Sequence, residues 1–445
     1  MATILEIQTC IDNLTTSTAD ELLLLAAETN ALTTDRIVKV ATCANLPDLV
    51  TCNLSNGTVV FVENINVPVM SANGCWVGLD NRVLRQDYAA ADAYVWGGNA
   101  CGRLGTGNLT NSLIPVSVVG GFTDWRQVNA GACHSIGVRC DGTAWAWGRG
   151  GSGQLGDGTT VNKSSPVGVA GGFTDWCQVS AGNQHSLGVR TNGTAWAWGV
   201  GGGALGDGTI VAKSSPVSVV GGFTDWCQVS AGTSFNHSLG VRTNGTAWAW
   251  GSNYSGTLGD GTTVDRSSPV SVVGGFTNWC QVSAGDGHSL GVRTNGTAWA
   301  WGCNGFGRLG TGNVYDRSSP VSIVGGFTDW CQVDAGCAHS LGVRTNGTAW
   351  GWGVGCRTGD GTGTARSSPV SVVGGFTDWC QVSAGNAHSL GLRTNGTAWA
   401  WGGNLYGVLG DGSLTTRSSP VSVAGGFTDW CQVSAGGHPM AVKKY

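Results

Sequence analysis

One histidine recurs at a nearly constant spacing through most of this chain, and histidine can bind metals or transfer protons. It is followed by serine in a repeated phrase, a pair that can also take part in nucleophilic catalysis. Catalysis, however, needs groups in different roles, whereas this pair recurs in the same form. The repetition therefore predicts a structural hydrogen bond at the start of a strand. The positions are His134, His185, His237, His288, His339, His388 and His438.

A second repeated segment, Gly-Asp-Gly-Thr, resembles part of a calcium-binding loop. It lacks the further acidic residues that a complete site requires, so it predicts turns instead. No P-loop, no Gly-x-Ser-x-Gly elbow and no acidic pair is found, and the sequence predicts no catalytic residue, no metal and no cofactor. The aspartates of these segments are Asp157, Asp207, Asp260, Asp360 and Asp411.

The sixteen cysteines could form disulfides. Six of them share one repeated position and would lie too far apart to bond, so they are interpreted as small buried residues. Cys133 and Cys140 could bridge, and Cys303, Cys337 and Cys356 could form a pair or a metal site. A reducing compartment during synthesis fits best. The six repeated cysteines are Cys177, Cys227, Cys280, Cys331, Cys380 and Cys431.

The elements that carry these residues repeat about every fifty residues, a period typical of solenoids, propellers or arrays. Within each copy apolar and polar residues alternate, which predicts short strands. Asn192-Gly193 and its equivalents predict hairpins with a type I′ turn, because that turn needs a positive φ at both central residues. Each copy therefore supplies four antiparallel strands, A to D, which is one propeller blade.

The two ends of the repeat region supply complementary half-blades. The region opens with strands C and D near Ala93 and Pro115 and closes with strands A and B near Trp430 and His438. One shared sheet would remove the exposed edges of an open array. The predicted fold class is mainly β: a closed seven-bladed β-propeller at 93–445, preceded by a short helical and a small β N-terminal region.

Four segments recur in a fixed order in the copies: His-Ser-Leu-Gly, Asn-Gly-Thr-Ala-Trp-Ala-Trp-Gly, Gly-x-Leu-Gly-Asp-Gly-Thr and Ser-Pro-Val. Together they resemble the repeats of the regulator of chromosome condensation family. The resemblance covers about 350 of 445 residues. It implies a propeller and, among the family's functions, guanine-nucleotide exchange on a small GTPase or chromatin docking. Exchange factors of the family use a β-wedge insertion, and these regular copies contain no comparable insertion.

Charged residues make up only 11% of the chain, against roughly a quarter in ordinary domains. With a net charge of −4, no basic surface argues for a nucleic-acid partner. The arginines that end strand B recur beside aspartates of the D–A turn, which predicts a ring of Arg–Asp pairs. No apolar run is long enough for a transmembrane helix and no secretory signal is recognised, so no membrane insertion is expected.

The copies differ mainly in the A–B loops and the C–D connections, which a meander places at one end of every blade. Variable loops on one face of a rigid scaffold are typical of a recognition surface. Neutral drift where packing is permissive is the alternative. Against drift, these loops carry aromatic residues, an extended segment in one blade and a shortened one at 354–359. The predicted ligand-binding residues are Phe235, Asn236, Tyr254, Phe306, Tyr315, Tyr406, Arg149 and Gln184.

The first ninety residues have a different pattern. Apolar residues at helical spacing and a capping box at Thr18–Glu21 ahead of Leu22–Leu25 predict a helical attachment and oligomerisation segment at 1–45. Strand patterns around an Asn73-Gly74 turn predict a small β module at 46–92. The stretch from Leu46 to Asp80 resembles a module of bacteriophage tail-fibre and other virion appendage proteins, which are commonly trimers.

Three functions remain open at this point. The first is a non-enzymatic virion adhesion protein, assembled in the host cytoplasm. It would bind other virion proteins through the N-terminal region and a host-surface glycan or protein through the propeller face. The second is an intracellular protein-binding or regulatory propeller. The third is a virion decoration protein without a receptor role. The sequence names neither the receptor, nor the host, nor the number of subunits.

Overall fold

The computed structural model describes residues 91–444 and four short N-terminal strands, Leu25–Ala26, Thr58–Val59, Val69–Ala72 and Cys75–Gly78. The chain divides into two units, Met1–Gln86 and Asp87–Tyr445. In the first unit Val69–Ala72 pairs antiparallel with Cys75–Gly78, as expected of strands flanking the predicted turn. Leu25–Ala26 pairs with Thr58–Val59, although Leu25–Ala26 lies in the segment that was predicted to be helical. A short apolar run does not distinguish a helix from a strand. The other helical predictions lie outside the described residues.

The second unit is a closed seven-bladed β-propeller, which confirms the predicted fold class. Strands A to D of blade 1 are Trp125–Ala130, His134–Arg139, Ala144–Gly148 and Lys163–Gly168. Those of blade 2 are Trp176–Ala181, His185–Arg190, Ala195–Gly199 and Lys213–Ser218. Those of blade 3 are Trp226–Ala231, His237–Arg242, Ala247–Gly251 and Arg266–Ser271. Those of blade 4 are Trp279–Ala284, His288–Arg293, Ala298–Gly302 and Arg317–Ser322.

Strands A to D of blade 5 are Trp330–Ala335, His339–Arg344, Ala349–Gly353 and Arg366–Ser371. Those of blade 6 are Trp379–Ala384, His388–Arg393, Ala398–Gly402 and Arg417–Ser422. Blade 7 takes strands A and B from the C-terminal end, Trp430–Ser434 and Met440–Lys444, and strands C and D from Ala91–Gly97 and Ser112–Ser117. Single 3₁₀ turns lie at Ala100–Gly102, Tyr254–Gly256, Gly305–Gly307, Gly355–Arg357 and Leu405–Gly407. Among the described residues, no helix reaches the length and hydropathy needed to cross a membrane.

The B–C hairpins differ from the predicted type I′ turn. Gly193 has a φ of 75°, but Asn192 is absent from the residues with positive φ. The Gly193 N–H donates to Arg190 O, and the Arg190 N–H donates to Thr194 O, which is a type I turn followed by a left-handed glycine. Asn192 Oδ1 accepts from both the N–H and the hydroxyl of Thr194, so the asparagine acts through its side chain instead.

The core lies in the seven seams between blades. At the seam of blades 1 and 2, Ile136 and Val138 of one blade pack with Trp176 and Val179 of the next, and all are buried. The seam of blades 6 and 7 has its own cluster of the same type. Each blade thus buries one face of its sheet against its neighbour, and closure of the ring gives every blade two neighbours.

Strand A of each blade is the innermost one, since strands A of adjacent blades bond to each other. Gln127 is an example: its amide nitrogen donates to Val179 O at 3.2 Å and its amide oxygen accepts from the Val179 N–H at 2.9 Å. Gln432 bonds to Val128 in the same way, at 3.1 and 3.0 Å, so the inner ring closes across the joint between the chain's two ends.

Candidate functional site

The repeated histidine belongs to the seams. His134 Nε2 lies 2.8 Å from Ser186 Oγ of the next blade, and that hydroxyl donates to Gln154 O, also at 2.8 Å. A hydroxyl carries one hydrogen, so the histidine nitrogen must be the donor in the first bond. Six such bonds of 2.6 to 3.1 Å are present: His134–Ser186, His185–Ser238, His237–Ser289, His288–Ser340, His339–Ser389 and His438–Ser135. The predicted structural role is confirmed in these six seams.

The seventh seam differs because Pro439 follows His438 where the other blades have serine. His388 Nε2 is buried and has no hydrogen-bond partner among the described residues. A backbone hydrogen bond to Ala435 offsets part of the effect by which burial lowers the pKa of this ring. Burial lowers the pKa of each histidine, to about 3 for His134 and to about 4 for His185. The histidines are therefore neutral and enclosed, which suits a fixed scaffold.

The other repeated polar residues also serve the scaffold. Asp157 Oδ1 accepts from the N–H and the hydroxyl of Thr159, so the Gly-Asp-Gly-Thr segment is a turn. The described residues contain no group of three or more metal-binding side chains. The repeated cysteines donate to strand B, as Cys177 does to Val189 O at 3.2 Å. The prediction that all six are buried is wrong for five of them, which are partly exposed, and is confirmed for Cys227.

The other cysteines named from the sequence are all unbridged. Cys133 and Cys140 form no disulfide with each other, because they lie at opposite ends of strand B of blade 1, a span too long for one. Cys303, Cys337 and Cys356 form no disulfide either. Cys337 Sγ instead donates to Asp286 Oδ2 at 3.0 Å, and burial raises the pKa of that thiol to about 11.

One face of the disc, here called the turn face, is formed by the B–C turns and the D–A turns. Its ring of ion pairs is confirmed: Arg190 Nε lies 2.7 Å from Asp175 Oδ1, and the guanidinium stacks on Phe173 at 4.1 Å. In blade 4 the acid is replaced, and Arg293 donates to Asn278 at 2.7 Å. The ion pairs of the ring are Arg139–Asp124, Arg190–Asp175, Arg242–Asp225, Arg344–Asp329, Arg393–Asp378 and Lys443–Asp429.

The opposite face, here called the loop face, holds the variable segments. The A–B loops are 131–133, 182–184, 232–236, 285–287, 336–338, 385–387 and 435–439. The C–D connections are 98–111, 149–162, 200–212, 252–265, 303–316, 354–365 and 403–416. The Arg149 N–H donates to Cys133 O, and equivalent bonds tie both kinds of segment together in other blades. All the variable segments thus lie on one side of the propeller.

A closed belt of backbone hydrogen bonds supports the loop face. Each A–B loop donates one N–H to a glycine carbonyl in the A–B loop of the next blade, and the seventh bond returns to the first blade. Because only main-chain atoms take part, the side chains at these positions are free to differ. The seven bonds run from Ala132 to Gly182, Asn183 to Gly232, Thr233 to Gly285, Asp286 to Gly336, Cys337 to Gly385, Asn386 to Gly436 and Gly437 to Gly131.

All five predicted aromatic residues are exposed on the loop face, with exposed fractions of 43% to 67%. Phe235 stacks on Tyr254 with ring centroids 5.2 Å apart, and both belong to blade 3. Phe306 and Tyr406 occupy the same point of their 3₁₀ turns in blades 4 and 6, with φ of 64° and 61°. Cys101 and Ser255 have the same conformation at this point of their turns, with φ of 60° and 55°, so the positive φ belongs to the repeated turn and not to the aromatic side chains.

The three polar candidates are spread over different blades. Arg149 is exposed in blade 1. Gln184 Oε1 of blade 2 accepts from Ser152 Oγ of blade 1 at 3.1 Å, so it joins two loops. Asn236 has a φ of 53° and a buried side-chain oxygen without a partner among the described residues. The structure brings Phe235 and Tyr254 together, and it leaves the other candidates distributed around the face.

The sequence analysis missed two features of this face. Thr233 and Asp286, in the A–B loops of blades 3 and 4, each have a buried side-chain oxygen without a partner among the described residues, and burial raises the pKa of Asp286. Exposed apolar residues also recur in the C–D connections of every blade except blade 5. Comparing the copies position by position would have found them. They are Leu109, Val161, Ile210, Val211, Val264, Val314, Leu405 and Leu414, beside the aromatic residues already named.

Comparison with known proteins gives the same repeat. The model of the regulator of chromosome condensation (RCC1) repeat matches residues 92–138, 141–189, 244–292, 295–343 and 395–441. Each matched segment begins at strand C of one blade and ends at strand B of the next. This offset of two strands is the reason why the last blade is shared between the chain's ends.

Among curated proteins, the Ultraviolet-B receptor UVR8 of Arabidopsis thaliana is 29% identical over 259 residues, which are 57% of this chain and 58% of that protein. The E3 ubiquitin-protein ligase HERC2 of Homo sapiens is 31% identical over 123 residues, 25% of this chain and 2% of that protein. This chain thus spans less than two thirds of the length of either relative.

Solved structures share the fold. Human WBSCR16 superimposes with a TM-score of 0.71 at 20% identity, covering 80% of this chain and 99% of that one. Prp20p from Saccharomyces cerevisiae, whose structure was described with its binding properties to Gsp1p and histones, gives a TM-score of 0.69 at 20% identity over 80% of this chain and 92% of that one.

Proposed function

The chain belongs to the regulator of chromosome condensation repeat family, and from that premise we propose that it is a non-enzymatic, protein-binding propeller. Its partner binds to the loop face. The single observation that carries this proposal is the segregation of the variable loops: they lie on one face, above a backbone belt that is the same in all seven blades.

The chemistry of the two faces supports the proposal. On the turn face, most of the repeated charges are paired and the aromatic rings pack against cations, as Arg190 does with Asp175 and Phe173. On the loop face, Tyr254, Phe306 and Tyr406 stay exposed. Exposed aromatic residues on a rigid frame offer large contact areas at a low cost in side-chain entropy.

Binding is favoured over catalysis by the state of the repeated polar groups. The histidines are buried and neutral, six of them bond across the seams, and the Asp-Gly-Thr aspartates hold their own turns. Neither set presents a reactive atom to a substrate.

Virion adhesion remains a prediction that uses the same face. It depends on the N-terminal segment, most of which lies outside the described residues, and none of the relatives named above is a virion protein. The predicted virion localisation, trimeric assembly and host-surface receptor depend on it in turn. The relatives favour the regulatory alternative, since the curated proteins matched in sequence are named as a receptor and a ubiquitin ligase.

Site-specific photo-crosslinking tests the proposal. A benzophenone amino acid is placed in the full chain at Tyr254 on the loop face or, as a matched control, at exposed Thr191 on the turn face. After irradiation in extracts and on intact cells of the source, we expect protein adducts from position 254 and none from position 191. Adducts only from position 191, or from neither, would contradict the proposal. Adducts formed only with surface molecules of intact host cells would favour adhesion.

A further inference from the structure

The start of strand D carries a second, outer ring of ion pairs. A basic residue there lies six residues after the aspartate of the Gly-Asp-Gly turn, and the two charges meet at the rim of the loop face. Four blades form this pair: Lys163–Asp157 at 3.6 Å, Arg266–Asp260 at 3.0 Å, Arg366–Asp360 at 2.7 Å and Arg417–Asp411 at 3.6 Å. In each of them the acid that neutralises the base is built into the same connection.

Blade 4 keeps the base and lacks the acid, because Thr311 stands where five of the other turns have aspartate. The side chain of Arg317 forms no ion pair with the described residues, and its Nε is buried without a hydrogen-bond partner. Blade 7 also lacks the aspartate, with Thr106 in its place, but it has Ser112 instead of the base. Blade 4 therefore has an uncompensated arginine, whereas blade 7 has no charge to compensate.

The aspartate next to Arg317 in the chain does not supply the missing carboxylate. Asp316 precedes Arg317, but its Oδ1 accepts from the Asn304 N–H at 2.7 Å. Asp265 makes the same bond with Asn253 in blade 3, and there Arg266 still has its own partner, Asp260. In blade 2 the described residues include no ion pair of Lys213, but Asp207 is present in the turn that precedes it, so only blade 4 has the base without the acid.

The unpaired arginine lies beside exposed aromatic surface. Tyr315, two residues earlier, is 67% exposed, and the equivalent positions of the other blades hold valine or threonine. Val314 and Phe306 of the same connection are also exposed. Arginine and tyrosine are among the residues that most often dominate binding at protein interfaces.

We propose that Arg317 and Tyr315 bind an acidic segment of a protein partner, in which an Asp or Glu carboxylate pairs with the terminal guanidinium nitrogens of Arg317. An apolar or aromatic side chain next to that carboxylate packs on Tyr315. The argument is charge complementarity: this cation lacks the acid that its equivalents have, and a planar guanidinium binds a carboxylate with two parallel hydrogen bonds. The inference rests on the proposed function and names its partner's chemistry.

The chain offers its own matched variants. Thr311→Asp restores the Gly-Asp-Gly sequence and should give Arg317 an internal partner, so that it blocks the site without removing a residue. Arg317→Ala removes the cation. Arg266→Ala, which removes an arginine already paired in blade 3, is the control. Thermal unfolding of each variant verifies that the propeller is retained.

The probe is a displayed library of random twelve-residue peptides, selected on the full wild-type chain. We expect enriched peptides that combine Asp or Glu with an apolar residue. Their affinity should fall at least tenfold with Thr311→Asp and with Arg317→Ala, and stay unchanged with Arg266→Ala. A parallel arm measures binding of oligosaccharides rich in uronic acid.

Several results would overturn the inference: no enriched peptides, basic peptides, or acidic peptides that Thr311→Asp does not weaken. If such peptides are instead lost with Tyr254→Ala, the proposed function stands and this inference fails. If selected peptides are lost only through changes on the turn face, the proposed function fails as well. If the uronic-acid oligosaccharides bind in a way that depends on Arg317 and peptides do not, the ligand is a glycan.

Discussion

Six seams of this propeller hold a histidine–serine hydrogen bond, and the seam between blades 6 and 7 does not. In the seam of blades 4 and 5, His288 Nε2 lies 2.8 Å from Ser340 Oγ. In the seam of blades 6 and 7, Pro439 replaces the serine, and His388 Nε2 has no partner among the described residues. The comparison is internal, because one chain contains both versions of the same joint.

The exceptional seam is otherwise complete. Its apolar cluster includes Trp96, Leu390 and Trp430, and Gln381 still bonds to Val433 across it. Apolar packing and the inner glutamine bonds are therefore sufficient to hold two blades together here. The histidine–serine bond adds to a seam that already exists, and its contribution can be measured by comparing the two versions.

Acidification should have the largest effect, because it acts on every seam at once. Burial lowers the pKa of the seam histidines, to about 3 for His134, His237 and His388, while an unfolded histidine titrates near 6.5. Between these values the unfolded chain binds more protons than the folded one, so stability is fully present above pH 6.5 and is lost as the pH falls toward 3. Circular dichroism at a series of pH values should show unfolding in this window. A propeller equally stable at pH 7 and pH 4 would contradict this prediction.

Removing the histidine should distinguish the two kinds of seam. His288→Ala deletes a buried ring and its bond to Ser340, and we expect it to cost about 2 to 4 kcal/mol. His388→Ala creates a similar cavity and removes the backbone hydrogen bond to Ala435 but no bond to a serine, and should cost less, by at most about 1 kcal/mol. Urea unfolding of both variants measures the difference. Equal losses would mean that the bond makes no net contribution.

Supplying the missing serine should have a smaller effect. Pro439→Ser gives His388 Nε2 an acceptor, but it also frees the unfolded chain from the constraint of proline, which costs about 0.4 to 1 kcal/mol. A double-mutant cycle isolates the bond. The substitution should be more favourable by about 0.5 to 1.5 kcal/mol in the wild-type background than in His388→Ala. A coupling energy of zero would show that the serine does not reach the histidine.

The smallest effect is expected at the turn face, where blade 4 again provides the comparison. Arg293 donates to Asn278 at 2.7 Å in that blade, and Arg242 donates to Asp225 at 2.7 Å in blade 3. Asp225→Asn should therefore cost less than about 1 kcal/mol, because the hydrogen bond remains and partly exposed ion pairs contribute little. The unfolding midpoint in urea is the measurement. A loss comparable to that of His288→Ala would show that the charge itself matters.

Much of the propeller was predictable because its signals repeat. The alternation around Trp176 and Val179, and the half-blades at the two ends, indicated four-stranded blades and the shared seventh blade. The prediction of a type I′ turn at Asn192-Gly193 was wrong, because the sequence does not show whether asparagine adopts a positive φ or stabilises the turn through its side chain. The sequence shows that Pro439 replaces the repeated serine, but the regularity of the other copies led the sequence analysis to treat all seven as equivalent.

The candidate site was predictable only in part. Sequence placed Tyr254, Phe306 and Tyr406 on one face, because strand direction alternates within a blade. It could not show that Phe235 stacks on Tyr254, which depends on the path of an extended loop. The sequence also could not show that Arg317 is unpaired, because it does not tell which aspartate lies within ion-pair distance of which arginine. The ion pair between Arg266 and Asp260 in the structure identifies the partner that Arg317 lacks.

The belt of main-chain bonds has a practical consequence for engineering. Because it runs through backbone atoms alone, the A–B segment of one blade should be exchangeable with that of another while the frame stays intact. The chain would then serve as a scaffold for displaying peptide segments, with seven equivalent loop positions arranged around one axis. Transplanting 232–236 into blade 1 would move the Phe235 side chain to a chosen sector without redesigning anything beneath it.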